Sequence, residues 1–264
     1  MSTLAVIPAR MAASRFPDKP LAVLHGIPMV MHCYFRTLLA QQVDHVVIAT
    51  CDEAIARVAQ EYGAPIAWTS DAHTNAVDRT AEAASALLQG GQSDIEVVLL
   101  VQGDEPLVQP STLDLMVSTI TADTDVHTLN AMVPFATEAD FLDRNNAKVV
   151  TSATGDALYM SREAIPSPWR GWPSGGAYMQ TGLFAFRPES LEWFAATPRT
   201  ELESTESIDM LRLLYHGRPL RMLAISEQTI GVDTPDDLVR AASMLEADPV
   251  LPLYRSHGRE PSGR

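Results

Sequence analysis

The sequence predicts an α/β fold, a doubly wound and mostly parallel sheet with a small strand-rich extension. Short apolar segments alternate with segments of helical periodicity in the first half of the chain, which is the pattern of repeated strand–helix units. The most apolar segment, IEVVLLV at 95–101, has the composition of a buried parallel strand. With 264 residues, of which 46% are hydrophobic, the chain is long enough to bury a sizeable core.

The predicted elements alternate in order along this first half. Strands are expected at 4–7, 45–50, 65–68 and 95–101. Helices are expected at 29–40, 53–62, 79–88 and 111–121. Together they predict the parallel part of the sheet.

The second half of the chain predicts a different pattern. From about 128 to 186 the segments are strand-rich and irregular, and ATGDA (153–157) is a plausible hairpin turn. The remaining elements are a helix at 201–216, a strand at 222–227 and a helix at 236–245. We therefore expect one domain at 1–245 with a strand-rich insertion at 128–186, followed by a flexible tail at 246–264. The Pro- and Gly-rich loop at 166–176 is of a kind that is often mobile and functional.

Charge and composition exclude several classes of protein. A formal net charge of -14 argues against a general nucleic-acid binder, which needs a broad basic face. It does not exclude a small anionic ligand, because the local potential decides that binding. We expect no membrane partner and a cytoplasmic location, because the chain has no long apolar run and no secretory-signal pattern. Cys33 and Cys51 lack CxxC spacing and are expected to be reduced thiols.

The loop after the first predicted strand gathers positive charge. In VIPARMAASRFPDKPL (6–21), Arg10, Arg15 and Lys19 flank the small residues 12–14, where backbone N–H groups, including that of Ser14, can face a ligand. Backbone donors combined with cationic side chains suit a polyphosphate. The alternative is an ordinary solvated loop between a strand and a helix.

Two aspartates are candidates for a metal site. Asp104 follows the most apolar predicted strand, at the sheet edge where open α/β sheets bind ligands. In IGVDTPDDL (230–238), Thr234 is the natural helix N-cap and Asp237 its partner, so Asp233 is not needed for capping. The two carboxylates, Asp104 and Asp233, could hold Mg²⁺. The alternatives are turn formation before Pro106 and a charge that complements the helix dipole.

Three ordered motifs resemble one family. PAR…SRFPDKPL, QGDEP and VDTPDDL, together with NAKVV…ALYMSR (147–162), are similar to CMP-Kdo synthetases, the 3-deoxy-manno-octulosonate (Kdo) cytidylyltransferases. The resemblance runs from the first residue to about residue 245. It implies a fold of the nucleotide-diphospho-sugar transferase type, a homodimer, and a reaction that joins CTP to an acid and releases pyrophosphate. The insertion at 128–186 would serve the acceptor and the dimer contact.

The resemblance also implies roles for individual residues. Arg10, Arg15 and Lys19 would bind the triphosphate, Pro8 and Ala9 would lie near the base, and Asp104 and Asp233 would hold Mg²⁺. Arg10, Lys19 and Asp104 would be catalytic, and Gln102 would lie near the acceptor. Further substrate contacts are expected from the following positions: Ser14, Arg79, Gln180, Asp209 and Arg212.

Departures from the family pattern concern mainly the acceptor. QTGLFAF (180–186) has Gln180 in place of a histidine and Phe184 and Phe186 in place of tyrosines, and Met210 replaces a glutamine. We therefore expect an acceptor that keeps the acid but lacks the polyol, a phosphonate such as phosphonoformate from phosphonate antibiotic biosynthesis. Lysine occurs only at Lys19 and Lys148, an arginine bias that suits a GC-rich genome.

Two alternatives remain open at this point. The first is that the acceptor is Kdo or a related 2-keto sugar acid, as the family match itself favours. The second is a non-catalytic regulatory protein that binds CTP, which the altered segment at 75–79 allows. Retention of both candidate metal aspartates favours an enzyme.

Overall fold

A computed structural model describes residues 2–11, 16–91, 94–173, 175–226 and 229–257. Its strands are β1 (Ser2–Pro8), β2 (Val23–Leu24), β3 (Ile27–Pro28), β4 (His45–Thr50), β5 (Ile66–Trp68), β6 (Ile95–Val101), β7 (Thr128–Pro134), β8 (Lys148–Thr151), β9 (Ala157–Ser161), β10 (Tyr178–Phe186) and β11 (Arg221–Ala224). Its α-helices are α1 (Met29–Leu38), α2 (Glu53–Glu61), α3 (Ala76–Gln89), α4 (Pro110–Ala122), α5 (Glu138–Leu142), α6 (Pro188–Ala196), α7 (Glu201–Glu206), α8 (Leu211–Tyr215), α9 (Pro235–Glu246) and α10 (Leu251–Tyr254).

The central sheet has the strand order β11-β7-β10-β6-β1-β4-β5. Strand β10 runs antiparallel to β6 and β7, whereas β1 pairs parallel with both β4 and β6. The β8–β9 hairpin extends the sheet beside one end of β10. The fold class predicted from the sequence is confirmed.

Side-chain alternation explains why helices cover both faces of this sheet. Along β1, Ala5 and Ile7 belong to one buried cluster, which includes α1 and α4. Leu4 and Val6 belong to a second cluster on the other face, which includes α3 and α6. Because every residue of β1 is buried, its segment from Leu4 to Pro8 is apolar without a break rather than alternating with polar residues.

Several predicted elements have the expected bounds. Strands β4 and β6 match their predictions residue for residue. The hairpin turn falls between β8 and β9, where Gly155 has φ of 84°. Thr234 caps α9 as predicted, since its hydroxyl accepts from the Asp237 N–H at 3.2 Å while the Asp237 carboxylate accepts from the Thr234 N–H at 3.0 Å.

Other elements differ from the sequence-based expectation. The predicted helix at 201–216 is two helices, α7 and α8, separated at Ser207, whose φ is 53°. Helix α3 begins at Ala76 because Asn75 caps it, accepting from the Asp78 N–H at 2.8 Å. The expected insertion at 128–186 is mostly part of the central sheet, because β10 lies between β6 and β7. Only the β8–β9 hairpin lies off the path of the main strands.

The expected tail at 246–264 packs against the core as far as residue 257. Leu251 and Tyr254 are each 2% exposed, and the Tyr254 hydroxyl is 2.8 Å from Nδ1 of buried His32. Residues 258–264 lie outside the described part of the chain. In the described ranges, no helix is both long enough and apolar enough to cross a membrane.

The C-terminal segment is held by a buried ion pair. Arg36 is fully buried, and its Nη1 and Nη2 donate to the two oxygens of Asp248 at 3.2 and 3.1 Å. Arg36 Nε also donates to the carbonyl of Val108 at 2.6 Å. Burial alone would raise the pKa of the Asp248 carboxyl, but the hydrogen bonds from Arg36 and the Val250 N–H outweigh it and lower the pKa.

We expect Asp248→Asn to lower the free energy of unfolding at pH 7 by about 3 kcal/mol, because one partner of a buried pair loses its charge. An acid with a lowered folded pKa stabilises above its unfolded pKa, so this deficit should shrink as the pH falls below about 4. Urea unfolding of wild type and variant between pH 3 and pH 7 measures it. Asp125→Asn, at an exposed aspartate, is the control. A constant difference across this range would contradict the assignment.

Candidate active site

A cavity of about 360 Å³ opens where β1 and β6 end. The chain passes from β1 to β4 and β5 on one side, then crosses to β6 on the other side of β1. The gap between β1 and β6 is therefore the point where the strand order reverses, and such points bind ligands in open α/β sheets. Pro8, Ala9 and Arg10 line it from β1, and Gln102, Gly103 and Asp104 line it from β6.

Lys19 joins two carboxylates from distant parts of the chain. Its Nζ lies 2.6 Å from Asp104 Oδ2 and 3.1 Å from Asp233 Oδ1, and its side chain is 13% exposed. Burial alone would lower the pKa of Lys19, but the two carboxylates outweigh it and raise the pKa above 10.5. Lys19 is therefore a permanent positive charge on the cavity wall. The structure brings together these three residues singled out in the sequence.

Asp104 has a further oxygen available. Its Oδ1 is buried and makes no hydrogen bond to any residue that the structure describes. Carboxylate oxygens are the ligands that Mg²⁺ prefers, so the donor types at Asp104 and Asp233 fit this ion. Among the described residues no group of three or more His, Cys, Asp or Glu side chains could hold a metal. A magnesium ion here would complete its coordination with water and substrate phosphates.

The loop after β1 is anchored before it reaches Lys19. The Ala9 N–H donates to the Ala49 carbonyl at 2.9 Å, and the Met11 N–H donates to Asp52 Oδ2 at 2.8 Å. Between these anchors Arg10 is exposed and lines the cavity. Two predicted substrate contacts, Ser14 and Arg15, lie outside the described residues.

Arg79 contributes a buried donor to the cavity wall. It lies in the first turns of α3 and is 2% exposed. Its Nη1 donates to the hydroxyl of Thr69, whereas its buried Nη2 has no hydrogen-bond partner among the described residues. A buried guanidinium nitrogen without a partner is costly, so the cavity is suited to a ligand with an acceptor at this point.

Gln102 lies against the backbone of β10. Its N–H donates to the Gly182 carbonyl at 3.3 Å. A Cβ atom at Gly182 would come within 2.6 Å of Gln102 Cδ, so a larger residue there would displace the Gln102 side chain. The glycine therefore allows Gln102 to lie in the cavity wall.

The comparisons with known proteins decide the family. The sequence model of a family described as cytidylyltransferase matches residues 4–225. The chain belongs to the cytidylyltransferase family. It is therefore an enzyme of the nucleotidyltransferase class, and the cavity at the end of β1 and β6 is its candidate active site.

Individual relatives cover nearly the whole chain. A 3-deoxy-manno-octulosonate cytidylyltransferase of Pelobacter propionicus is 38% identical over 257 residues, which cover 94% of this chain and 98% of the relative. A protein of the same name from Nitratidesulfovibrio vulgaris is 43% identical over 237 residues, covering 88% and 92%. A solved CMP:2-keto-3-deoxy-manno-octonic acid synthetase complexed with CTP is 28% identical, with a TM-score of 0.84 and coverage of 94% and 99%.

The expected phosphonate acceptor is not supported. These two relatives are named for 3-deoxy-manno-octulosonate, and no phosphonate enzyme is among them. The structure also explains why the aromatic and methionine positions are a poor guide to the acceptor. Phe184, Phe186 and Met210 are buried in the core cluster that includes α3 and α6, and none of them lines the cavity. Apolar residues at these three positions, where the family pattern has polar ones, therefore reflect core packing and not the shape of the acceptor site.

Two other predicted substrate contacts lie off the cavity wall. Arg212 Nε and Nη2 donate to the carboxylate of buried Glu203 at 2.9 and 2.7 Å, and its Nη1 donates to the Phe194 carbonyl at 2.9 Å. These bonds give Arg212 a structural role between α6, α7 and α8. Gln180 is half-buried in β10 and is also not among the lining residues.

Glu105, which the sequence places in the expected turn before Pro106, is buried. It is 4% exposed, and burial, followed by the neighbouring charge of Asp104, raises the pKa of its carboxyl to about 7. The sequence alone does not predict that Glu105 is buried, because Asp-Glu-Pro also suits an exposed turn.

Asp209 does line the cavity, at the break between α7 and α8. Burial, followed by the nearby charge of Glu203, raises the pKa of its carboxyl to about 6, although Arg199 and Arg212 act in the opposite direction. The cavity therefore has a further acidic residue, Asp209, in addition to the two aspartates that Lys19 contacts.

We expect Asp209→Asn to be more stable than wild type above pH 6. An acid with a raised folded pKa stabilises the fold when protonated, and this contribution is lost as the pH rises through about 6. The stability difference between variant and wild type should therefore grow between about pH 4 and pH 7. Urea unfolding over this range measures it. Parallel curves for the two proteins would contradict it.

Proposed function

We propose that this enzyme transfers the cytidylyl group of CTP to a 2-keto sugar acid, Kdo or a close relative, and releases pyrophosphate. The observation that carries the proposal is the convergence of Lys19, Asp104 and Asp233 with Arg10 on one cavity. The likeness to proteins named 3-deoxy-manno-octulosonate cytidylyltransferase supports the choice of acceptor.

The nucleotide would lie along the end of β1. Arg10 and protonated Lys19 supply positive charge for a triphosphate, and Arg79 is the further cation among the described residues of the cavity wall. Pro8 and Ala9 offer the adjacent apolar surface, and Arg79 Nη2 offers an unpaired donor to an oxygen of the substrate. The solved relative complexed with CTP supports this nucleotide.

The transfer itself depends on positioning and charge neutralisation. An acceptor oxygen must approach the α-phosphorus opposite the departing pyrophosphate, and both substrates are anions. Lys19 and Arg10 would stabilise the negative charge that develops on pyrophosphate. Asp104 and Asp233 would hold Mg²⁺, which when bound acts as a Lewis acid and a template for phosphate oxygens. Gln102 and Asp209, which lie on the same wall, would orient the acceptor.

Pyrophosphate release tests the reaction and its acceptor together. With CTP and Mg²⁺, we expect Kdo to stimulate release and phosphonoformate to leave it at background, because the site would position a sugar acid. ATP and GTP in place of CTP are the nucleotide controls. Release stimulated by phosphonoformate alone would overturn the acceptor, and CTP binding without release under any condition would favour a regulatory protein.

Asp104→Asn tests the charge at the centre of the site. We expect kcat/KM to fall by about 100-fold or more, because the variant loses an electrostatic contact to the reacting groups. Steady-state kinetics with CTP and Kdo measure the effect, and circular dichroism verifies the fold. Asp125→Asn, at an exposed aspartate that does not line the cavity, is the matched control. Equal activity of both variants would remove Asp104 from the reaction.

A further inference from the structure

The pairing of β10 with β7 is interrupted beside the candidate active site. Strand β10 pairs with β7 at Gln180 opposite Met132 and again at Phe184 opposite Asn130. On the β7 side, three residues of β10 (181–183) are therefore opposite the single residue Ala131. This mismatch is a β-bulge in β10. Bulges are concentrated next to active sites, where they change the direction of a strand and its side chains.

Buried side chains satisfy the backbone groups that the bulge leaves unpaired. Asn130 Nδ2 donates to the carbonyls of Thr181 and Leu183 at 3.0 and 2.9 Å. The Gly182 N–H donates to Glu105 Oε1 at 2.6 Å. A Cβ at residue 182 would lie 2.6 Å from this same oxygen, so the contact requires glycine. The bulge is thus a specified feature and not an irregularity of packing.

The second oxygen of Glu105 binds a different segment. Thr229 Oγ1 donates to Glu105 Oε2 at 2.9 Å. Three residues further on, the Val232 N–H donates to the Asp104 carbonyl at 2.9 Å, and Asp233 follows. Glu105 therefore lies between the bulge of β10 and the segment that presents Asp233, directly after Asp104 in the chain.

Fold stability alone does not explain this carboxylate. Glu105 forms no ion pair within 4.0 Å among the described residues, and burying a carboxylate without a cation is costly. The two hydrogen bonds that it accepts come from the β10 bulge and from the segment that presents Asp233, and Glu105 itself directly follows Asp104 in the chain. Residues that do not bind the metal themselves but orient its ligands are a recurrent feature of metal sites.

We propose that Glu105 is a positioning residue that holds the Asp233 segment and the β10 bulge in register, so that Asp104 and Asp233 face one divalent ion and the triphosphate. The proposal rests on the function proposed above. It assigns Glu105 no contact with substrate. Its effect on the reaction passes through Asp233.

Thr229→Val tests the contact without altering either cavity aspartate. The variant keeps the shape of the side chain but removes the hydroxyl that binds Glu105. We expect the apparent Kd for Mn²⁺ in the enzyme–CTP complex, measured by electron paramagnetic resonance, to rise by about tenfold. We expect kcat to fall by a similar factor, while the Kd for CTP in EDTA stays within twofold of wild type.

Two variants separate this effect from a general loss of stability. Thr229→Ser keeps the hydroxyl and should restore Mn²⁺ affinity to within twofold. Thr112→Val is the matched control, because Thr112 is buried and its hydroxyl has no hydrogen-bond partner among the described residues. If Thr229→Val does not fold, Glu105→Gln, which leaves one carbonyl oxygen for two donors, should weaken Mn²⁺ binding in the same way.

A double-variant comparison decides whether the effect passes through Asp233. In an Asp233→Asn background, Thr229→Val should cause no further loss of Mn²⁺ affinity, since the ligand that it positions is already altered. Additive losses, unchanged Mn²⁺ affinity, or an equal loss of CTP affinity in EDTA would each overturn the proposal. Failure of wild type to transfer the cytidylyl group to any acceptor would instead overturn the function proposed above.

Discussion

The candidate active site depends on one ammonium group. Lys19 Nζ contacts Asp104 and Asp233, residues that are 85 and 214 positions away in the sequence. Without a cation between them, two carboxylates beside a cavity would repel each other and any phosphate. Lys19 follows the loop that begins at the end of β1. Its contacts with Asp104 and Asp233 therefore join an early, a middle and a late part of the chain. The same charge that holds the aspartates also faces the cavity.

Strand topology brings these distant residues together. Parallel strands β1 and β6 end at the same edge, which places Lys19 and Asp104 near each other without any local sequence signal. Asp233 reaches this edge differently, because it lies before α9 and does not follow a strand directly. The Val232 N–H bond to the Asp104 carbonyl supplies the missing connection. Thr234 takes over the capping of α9, so the Asp233 carboxylate does not serve as the N-cap.

The sequence predicted those features that have a local cause. Apolar runs gave β4 and β6 their bounds, and the Thr234 capping box gave α9 its start. Features set by tertiary contacts were predicted less well. The segment at 246–257 contains no long apolar run, yet Asp248 and Tyr254 bind residues of α1 that lie far away in sequence. The predicted helix at 201–216 is interrupted at Ser207 by a left-handed backbone conformation that the apolar pattern does not report.

The candidate site shows the same division at the level of single residues. Arg10, Lys19, Asp104 and Asp233 were predicted because of their places in the chain: the two cations in the loop after the first strand, Asp104 at the sheet edge that binds ligands, and Asp233 beside a helix that Thr234 caps. Glu105 and Asn130 were missed because their contacts are tertiary. Asn130 and one oxygen of Glu105 bind backbone groups of the β10 bulge, which has no local sequence signature, and the other oxygen of Glu105 binds Thr229. Phe184 and Met210 led to the opposite error, because they were taken as acceptor contacts although they are buried in the core. An apolar residue in a site motif describes the site only where its side chain faces the cavity. In β10 the side chains alternate between the two faces, so neighbouring positions report on different surroundings. The acceptor therefore has to be inferred from the residues on the cavity wall, which include the polar side chains of Gln102 and Asp209.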